Sequence, residues 1–294
     1  MRRLLPLAFL LLTGGLAGCG REVLSQQRAD ACLTRVREAY EAGRFAQVPS
    51  RAKPLIKAHP RTPGSEEALF LAADSEDRRG RPTAAFRLYE SLLREHQASG
   101  RIQDVSRREF ALASTSYAQG KRRLKGHFMT FGTPLQKVFQ DAARHDPYAD
   151  HAAYALLLAA TCQYDDTYYE EALDILDRLV ADHPRSPWLP QAEFLRAMTA
   201  YRLCKGATYD VARLRTAEEG FRGILRRWPD GQDADAARRM LVVIDDRWAE
   251  HGVRAARVYE KLAKPASAEL YYRDVVARYP DSPWAEEARH ALAP

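Results

Sequence analysis

Glycine and proline are scarce in this chain of 294 residues, 16 of each, and 46% of the residues are hydrophobic. That balance excludes wholesale disorder. The length suits two ordinary domains or one extended array. Lysine is scarcer still, 8 of the 45 basic residues. The formal charge of +6 and the pI of 9.1 therefore rest on arginine. Genome composition alone can produce that preference, so the charge does not imply nucleic acid. The one dense basic run, Lys121-Arg122-Arg123-Leu124-Lys125, lacks the aromatic and glycine residues of an RNA-binding strand. It reads as a solvated helix face, or one turned to lipid headgroups. The chain also contains no GxGxxG, Walker A, HExxH or GxSxG segment, which disfavours an enzyme. No CxxC or Cys/His spacing suggests zinc, and no cofactor is implied.

Apolar runs of membrane-spanning length are missing too. Arg2 and Arg3 precede LLPLAFLLLTGGLAG, which ends at Cys19. A positive start, a short apolar centre and small residues before the cut describe a secretory signal over residues 1–18. The run is too short and too broken by glycine for a transmembrane helix. Leu16-Ala17-Gly18-Cys19 resembles a bacterial lipobox. That resemblance implies cleavage before Cys19, lipidation of Cys19 and a polar tether over 19–29. Several acyl chains give stable anchoring, since each buried methylene contributes about 0.8 kcal/mol. Gly20 follows in place of the aspartate that retains lipoproteins at the inner membrane, which points to the outer membrane. Of the other three cysteines, a Cys162–Cys204 disulfide is open to an oxidising compartment. Their helical, partly apolar contexts favour the other reading, cysteine as a small buried hydrophobe.

What the chain does contain is a repeat. Tyr169, Ala172, Leu176 and Leu179 form one apolar helix stripe that stops before Pro184. The same template fits Phe45, Val48, Ala52 and Leu55 before Pro60, and Leu135, Phe139 and Ala142 before Pro147. It returns as Ala217, Phe221 and Ile224 before Pro229, and as Ala268, Tyr272 and Val275 before Pro280. One copy, Ala85, Tyr89 and Leu92, stops at Gln97 without proline. A small residue lets a neighbouring helix approach, and the aromatic fills the space behind it. Proline then blocks continuation. Each stripe follows another helical segment. Paired helices ending in proline are the signature of tetratricopeptide repeats. Pro60 to Gln97 and Pro147 to Pro184 each span 37 residues. HPRTPGSEEAL, HPRSPWLPQAE and YPDSPWAEEAR are then junctions, where Ser or Thr caps the next first helix.

These spacings predict an all-α right-handed tetratricopeptide superhelix. Its repeats fall at 30–64, 65–101, 106–147, 148–184, 185–229 and 234–282. A closing helix runs from Trp284 to Leu292. Residues 120–134, GKRRLKGHFMTFGTP, break the pattern as an extended helix or a loop. By repeat position, Phe70, Asp74, Asp77, Arg78, Tyr154 and Leu157 face the concave groove and are candidates for peptide binding. Two polar clusters invite chemistry. His145, Asp146, Asp150 and His151 could hold a metal, but Asp146-Pro147 sits at a junction and Asp150 suits a first helical turn. Asp165 and Asp166 could pair as acid and base, but lie in an inter-helix turn. Structure explains both positions better, and no metal site is assigned.

The carboxy-terminal half carries a family resemblance. DDRWAEHGVRAARVYEKLAKPASAELYYRDVVARYPDSPWAEEARHAL resembles the BamD family of outer-membrane assembly lipoproteins. Asp246-Arg247-Trp248-Ala249 stands where that family has a DRLA-like motif, and Tyr279-Pro280-Asp281-Ser282 matches its last junction. CKGATYDVARLRTAEEGF resembles the insert in its fifth repeat. Trp248 replaces the usual leucine, and Lys264-Pro265 replaces a glycine turn. The match is best over 148–294. The segment 30–147 shares the repeat spacing and follows the anchor, so the division is set at 147/148. The resemblance implies a non-enzymatic scaffold, lipid-anchored at the periplasmic face of the outer membrane. Its partners would be a BamA-like barrel subunit, other assembly-complex subunits and unfolded outer-membrane proteins. Asp246 and Arg247 would dock the barrel subunit, or Arg247 would pair within its own helix with Glu250. The competing class is a structural repeat lipoprotein of a division, motility or export machine.

Overall fold

The computed structural model describes residues 25–118, 123–124, 127–130, 133–204 and 210–293. The signal segment and Cys19 lie outside them. The chain divides into two compact units, Met1–Ser99 and Gly100–Pro294. That division comes one helix pair earlier than the 147/148 boundary suggested by resemblance.

The first unit holds two helix pairs. α1 (Gln26–Glu41) packs on α2 (Val48–Ala58), which a short 3-10 turn at Phe45–Gln47 precedes. α3 (Pro63–Arg78) packs on α4 (Pro82–Glu95). α1 starts inside the segment expected to be tether. Ala29 and Cys32 are buried, and Gln26 donates to Asp30 at 3.0 Å, so the first turn already has a core to join. The core is the stripe read from sequence: Val48, Ala52 and Leu55 of α2 against Val36, Ala39, Ala68 and Ala72. In α4, Ala85, Tyr89 and Leu92 are completely buried.

The second unit continues with α5 (Ile102–Ala118) and α6 (Leu135–His145), then α7 (Ala152–Asp165) and α8 (Tyr169–Asp182). α9 (Leu189–Leu203) pairs with α10 (Val211–Arg227), and the 28-residue α11 (Ala234–Lys261) with α12 (Pro265–Arg278). α13 (Pro283–Leu292) closes the order. Phe139, Ala142, Leu176, Leu179, Phe221 and Ile224 are buried as their stripes require. α7 is buried almost throughout, from Ala152 to Cys162. Both units are thus built as tetratricopeptide-repeat α-solenoid. Between α5 and α6 the break in pattern is neither helix nor simple loop. Three short antiparallel strands, β1 (Arg123–Leu124), β2 (His127–Thr130) and β3 (Thr133–Pro134), pair in chain order. Arg123 pairs with Phe128, and Met129 with Pro134.

Two recurring devices hold the pairs. Within four of them, the turn between helices puts one residue in the left-handed region: Gly43 (φ 69°), Gly80 (φ 67°), Thr167 (φ 66°) and Ala263 (φ 53°). Each makes the same bonds. The Gly43 N–H donates to Tyr40 and that of Arg44 to Ala39; those of Ala263 and Lys264 donate to Glu260 and Tyr259. This satisfies the last carbonyls of the first helix. Between pairs, second helices end on one backbone shape. His59 (φ −133°, ψ 64°), His183 (φ −126°, ψ 54°) and Tyr279 (φ −129°, ψ 53°) precede proline. His96 adopts φ −126°, ψ 59° without one. Its buried ring lies 3.5 Å from Ser65 Oγ and 3.9 Å from Glu66, so packing replaces proline there. Thr62 and Ser65 form the expected reciprocal cap of α3, and Ser282 accepts from the Trp284 N–H. Ser186 accepts from the Trp188 N–H at 3.1 Å, although α9 starts later, at Leu189.

Candidate functional site

Among the described residues the sequence candidates do not converge on a chemical centre, and Asp74 and Leu157 are buried. Among the described residues no group of His, Cys, Asp and Glu could hold a metal ion. Asp146 is the buried residue that ends α6, as a junction requires. The His151 ring stacks on Phe110 with centroids 4.9 Å apart. Burial lowers the pKa of both His145 and His151 below 6.5. Asp166 ends α7 and is buried, not held beside Asp165 in an open cleft. Cys162 and Cys204 are thiols, so the disulfide is absent. Cys162 is completely buried, and its thiol is pushed up to about 12. Burial is the main cause, with Asp165 and Asp166 adding to it.

In the first unit, α3 carries Phe70, Asp74, Asp77 and Arg78. Asp74 is buried and accepts from the Tyr40 hydroxyl at 2.5 Å and from Arg78 Nε at 2.6 Å. It is therefore a fixture of the α1–α3 contact, and correcting the expectation removes it from the surface. Arg78 stays exposed. Its guanidinium lies 5.6 Å from the centre of the Tyr40 ring and 5.3 Å from that of Phe45. The Asp74 hydrogen bond and charge favour its cationic form. Phe70 is half-buried, its ring edge-on to Tyr89, and Asp77 is half-exposed. Tyr40 is the residue that sequence reading missed; it looks like one more core aromatic until α3 is packed beside it.

In the second unit, Tyr154 of α7 stacks on Trp188 at 4.2 Å, with ring planes 19° apart. Leu157 is buried in α7, and this corrects its assignment to an open groove. Phe70 and Tyr154 belong to different units. The first helices α7, α9 and α11 are joined by tyrosine–arginine bonds. Arg202 Nε donates to the Tyr164 hydroxyl at 3.0 Å. Arg247 is kept cationic first by its bond to the Tyr201 hydroxyl, then by Glu250 at 3.1 Å. Glu250 also accepts from Arg254 at 2.6 Å. The own-helix pairing of Arg247 is thus real, yet its side chain and that of Arg254 remain about half exposed, at 47% and 52%. Asp246 beside it is half-exposed. Trp248 points inward, and its indole N–H donates to Glu218 of α10 at 2.8 Å. Exposed Val243 lies one turn before Arg247 on the same face of α11.

With this geometry in place, comparison with known proteins is informative. The sequence model of a family described as "Outer membrane lipoprotein", YfiO, matches residues 111–293. A tetratricopeptide-repeat model matches residues 67–99. The outer membrane protein assembly factor BamD of Rickettsia prowazekii is 26% identical over 140 residues, 48% of this chain and 53% of that protein. Its counterpart in Caulobacter vibrioides is 23% identical over 154 residues, 52% of this chain and 50% of that protein. The chain therefore spans about half the length of these relatives. A solved structure of Pseudomonas aeruginosa pilF aligns over 90% of this chain and 97% of its own, at 12% identity and a TM-score of 0.33. At that score the likeness adds nothing to the repeat fold read from the helices.

Proposed function

The chain belongs to the YfiO family of outer membrane lipoproteins, and from that premise we propose that it is a scaffold of the β-barrel assembly machinery. It is held at the periplasmic face of the outer membrane by acylated Cys19. It works by non-covalent binding, without cofactor or catalysis. The observation that carries this reading is the family match across 111–293, the region holding Asp246 and Arg247. The relatives named as outer membrane protein assembly factors support the same role.

Two contacts are proposed, one in each unit. The α11 face with Val243, Asp246, Arg247 and Arg254 docks a BamA-like barrel subunit. Two guanidiniums there share one carboxylate, Glu250, with Asp246 half-exposed beside them, so the face offers a partner both signs of charge. The α3 surface receives unfolded outer-membrane protein. An unfolded barrel strand offers bare amides and alternate apolar side chains. Phe70 takes the apolar side, and Asp77 and Arg78 set its direction, with Asp74 and Tyr40 holding Arg78 in place. Asp77→Lys with Arg78→Glu is expected to weaken binding of a barrel-terminal peptide about tenfold, the scale of one charge-assisted contact. Fluorescence anisotropy measures it, and unchanged affinity removes the α3 assignment. The role itself is tested by capturing the Cys19-anchored protein from detergent-solubilised membranes. A BamA homologue among its partners supports assembly; division, pilus or export components in its place overturn it.

A further inference from the structure

Residues 42–65 contain no aspartate or glutamate, but include Arg44, Arg51, Lys53, Lys57 and Arg61. The run covers all of α2 and both its flanks. Over Gln26–Ala58, seven lysines and arginines face three carboxylates, a net +4 within a chain whose total is +6. The excess charge of the protein is thus gathered in the first helix pair. Of the seven, Arg37 is paired with Glu67 of α3. Arg28, Arg35, Arg44, Lys53 and Lys57 are exposed and enter no ion pair among the described residues. Arg35 bonds a carbonyl, that of Ala31. Arg51 donates to Gln47 Oε1 at 2.7 Å and to the Arg35 backbone carbonyl at 3.3 Å, which lays its guanidinium along the α1–α2 seam. Lys53 and Lys57 lie one turn apart on α2, and Arg28 and Arg35 two turns apart on α1. The carboxylates of α1 lie elsewhere or are engaged: Asp30 accepts from Gln26, and only Glu38 falls within one turn of Arg35.

The place of this patch in the chain matters as much as its sign. Cys19 and the first residue of α1, Gln26, are seven residues apart. Even fully extended, that tether reaches about 24 Å. The start of α1 is therefore kept within about 24 Å of any membrane that holds Cys19. A cationic face tethered at that distance meets anionic headgroups at high local concentration, and attraction acts within about 8 Å at physiological salt.

We infer that the outer face of α1 and α2 is a membrane-docking surface that binds anionic phospholipid headgroups and so orients the repeats on the bilayer. This rests on the lipid-anchored reading above, for the tether supplies the proximity. Each cation contributes about a fivefold change in partition to an anionic surface. Several together hold the first pair down, whereas one would not. The contact is electrostatic and needs no apolar insertion.

The test uses the acylated full-length protein reconstituted into phosphatidylcholine vesicles, with or without phosphatidylglycerol. Flotation with pure phosphatidylcholine vesicles reports the anchor. The acetylation rates of Lys53 and Lys57, read by mass spectrometry, report the docked face. The expected result is flotation with both vesicle types, with acetylation about tenfold slower when phosphatidylglycerol is present. High salt should abolish the difference, and Lys261 and Lys264 of the last pair should not show it. Arg28→Glu with Arg44→Glu, at exposed positions without ion pairs among the described residues, should bring the two rates together. Equal rates in both vesicles overturn the docking surface and leave the anchor standing. Failure to float with phosphatidylcholine overturns the anchor, and the docking surface with it. Equal protection by soluble heparin would overturn the lipid assignment in favour of a general polyanion site.

Discussion

Thr167 and Ala263 occupy a backbone position that their side chains resist. Both have positive φ, at places where the first two pairs use Gly43 and Gly80. A Cβ in the left-handed region costs about 1–2 kcal/mol. The position persists because its bonds end the first helix of the pair. Ala263→Gly and Thr167→Gly are each expected to stabilise the chain by about 1 kcal/mol, measured by urea denaturation. Ala263→Val should do the opposite. Neither residue could be recognised from sequence, because the usual signal is glycine and it is missing; Lys264-Pro265 looked like a departure from a glycine turn, while the neighbour Ala263 carries the glycine's task. Asp74 escapes helical spacing for a related reason. Helical spacing puts it on the groove side, while the Tyr40 hydroxyl from α1 meets it there and the position is interior. Cysteine chemistry is also decided locally. Cys162 is completely buried with a pKa of about 12, so its thiolate is negligible at neutral pH. Iodoacetamide should leave Cys162 unmodified in the native protein and modify half-buried Cys204 first, as read by mass spectrometry.

Elements were legible wherever a stripe of small and aromatic residues repeats. Ala52 with Leu55, Ala172 with Leu176, Ala217 with Phe221 and Ala268 with Tyr272 are all core. The strands of 123–134 were not legible, because two- and four-residue runs are too short to show alternation. Leu157 shows another limit. Its neighbours on α7 are buried all round, and a helix packed on every side has no solvent face for a spacing argument to find. Close helix crossings explain two glycines. A Cβ on Gly220 would stand 2.8 Å from Ala197 Cβ, and one on Gly252 would run into Val275 Cγ2. Gly252→Ala is therefore expected to destabilise the last pair by about 1–3 kcal/mol despite the better helix propensity of alanine. Gly100, with open space around it, should tolerate the same change. Thermal unfolding of the two variants side by side checks the contrast.

Across the whole molecule, stability should depend on pH through His145 and His151. Burial lowers both below their ordinary 6.5. The unfolded chain then binds protons that the folded one refuses, so stability is complete above about pH 6.5 and falls as the pH drops through that value. The melting temperature should decline between pH 7 and pH 5, and His151→Gln should flatten the decline. The central claim, that the protein is a β-barrel assembly scaffold, depends on what meets α11. The family match and the half-exposed Arg247 and Arg254, joined on Glu250, coincide there. A photo-crosslinking amino acid at Val243, exposed one turn from Arg247, tests it in intact membranes. The account predicts one dominant adduct, with the periplasmic part of a BamA-like barrel subunit, weakened by Arg247→Glu. An adduct with a component of a division, pilus or export machine, or a BamA adduct insensitive to Arg247→Glu, would contradict it.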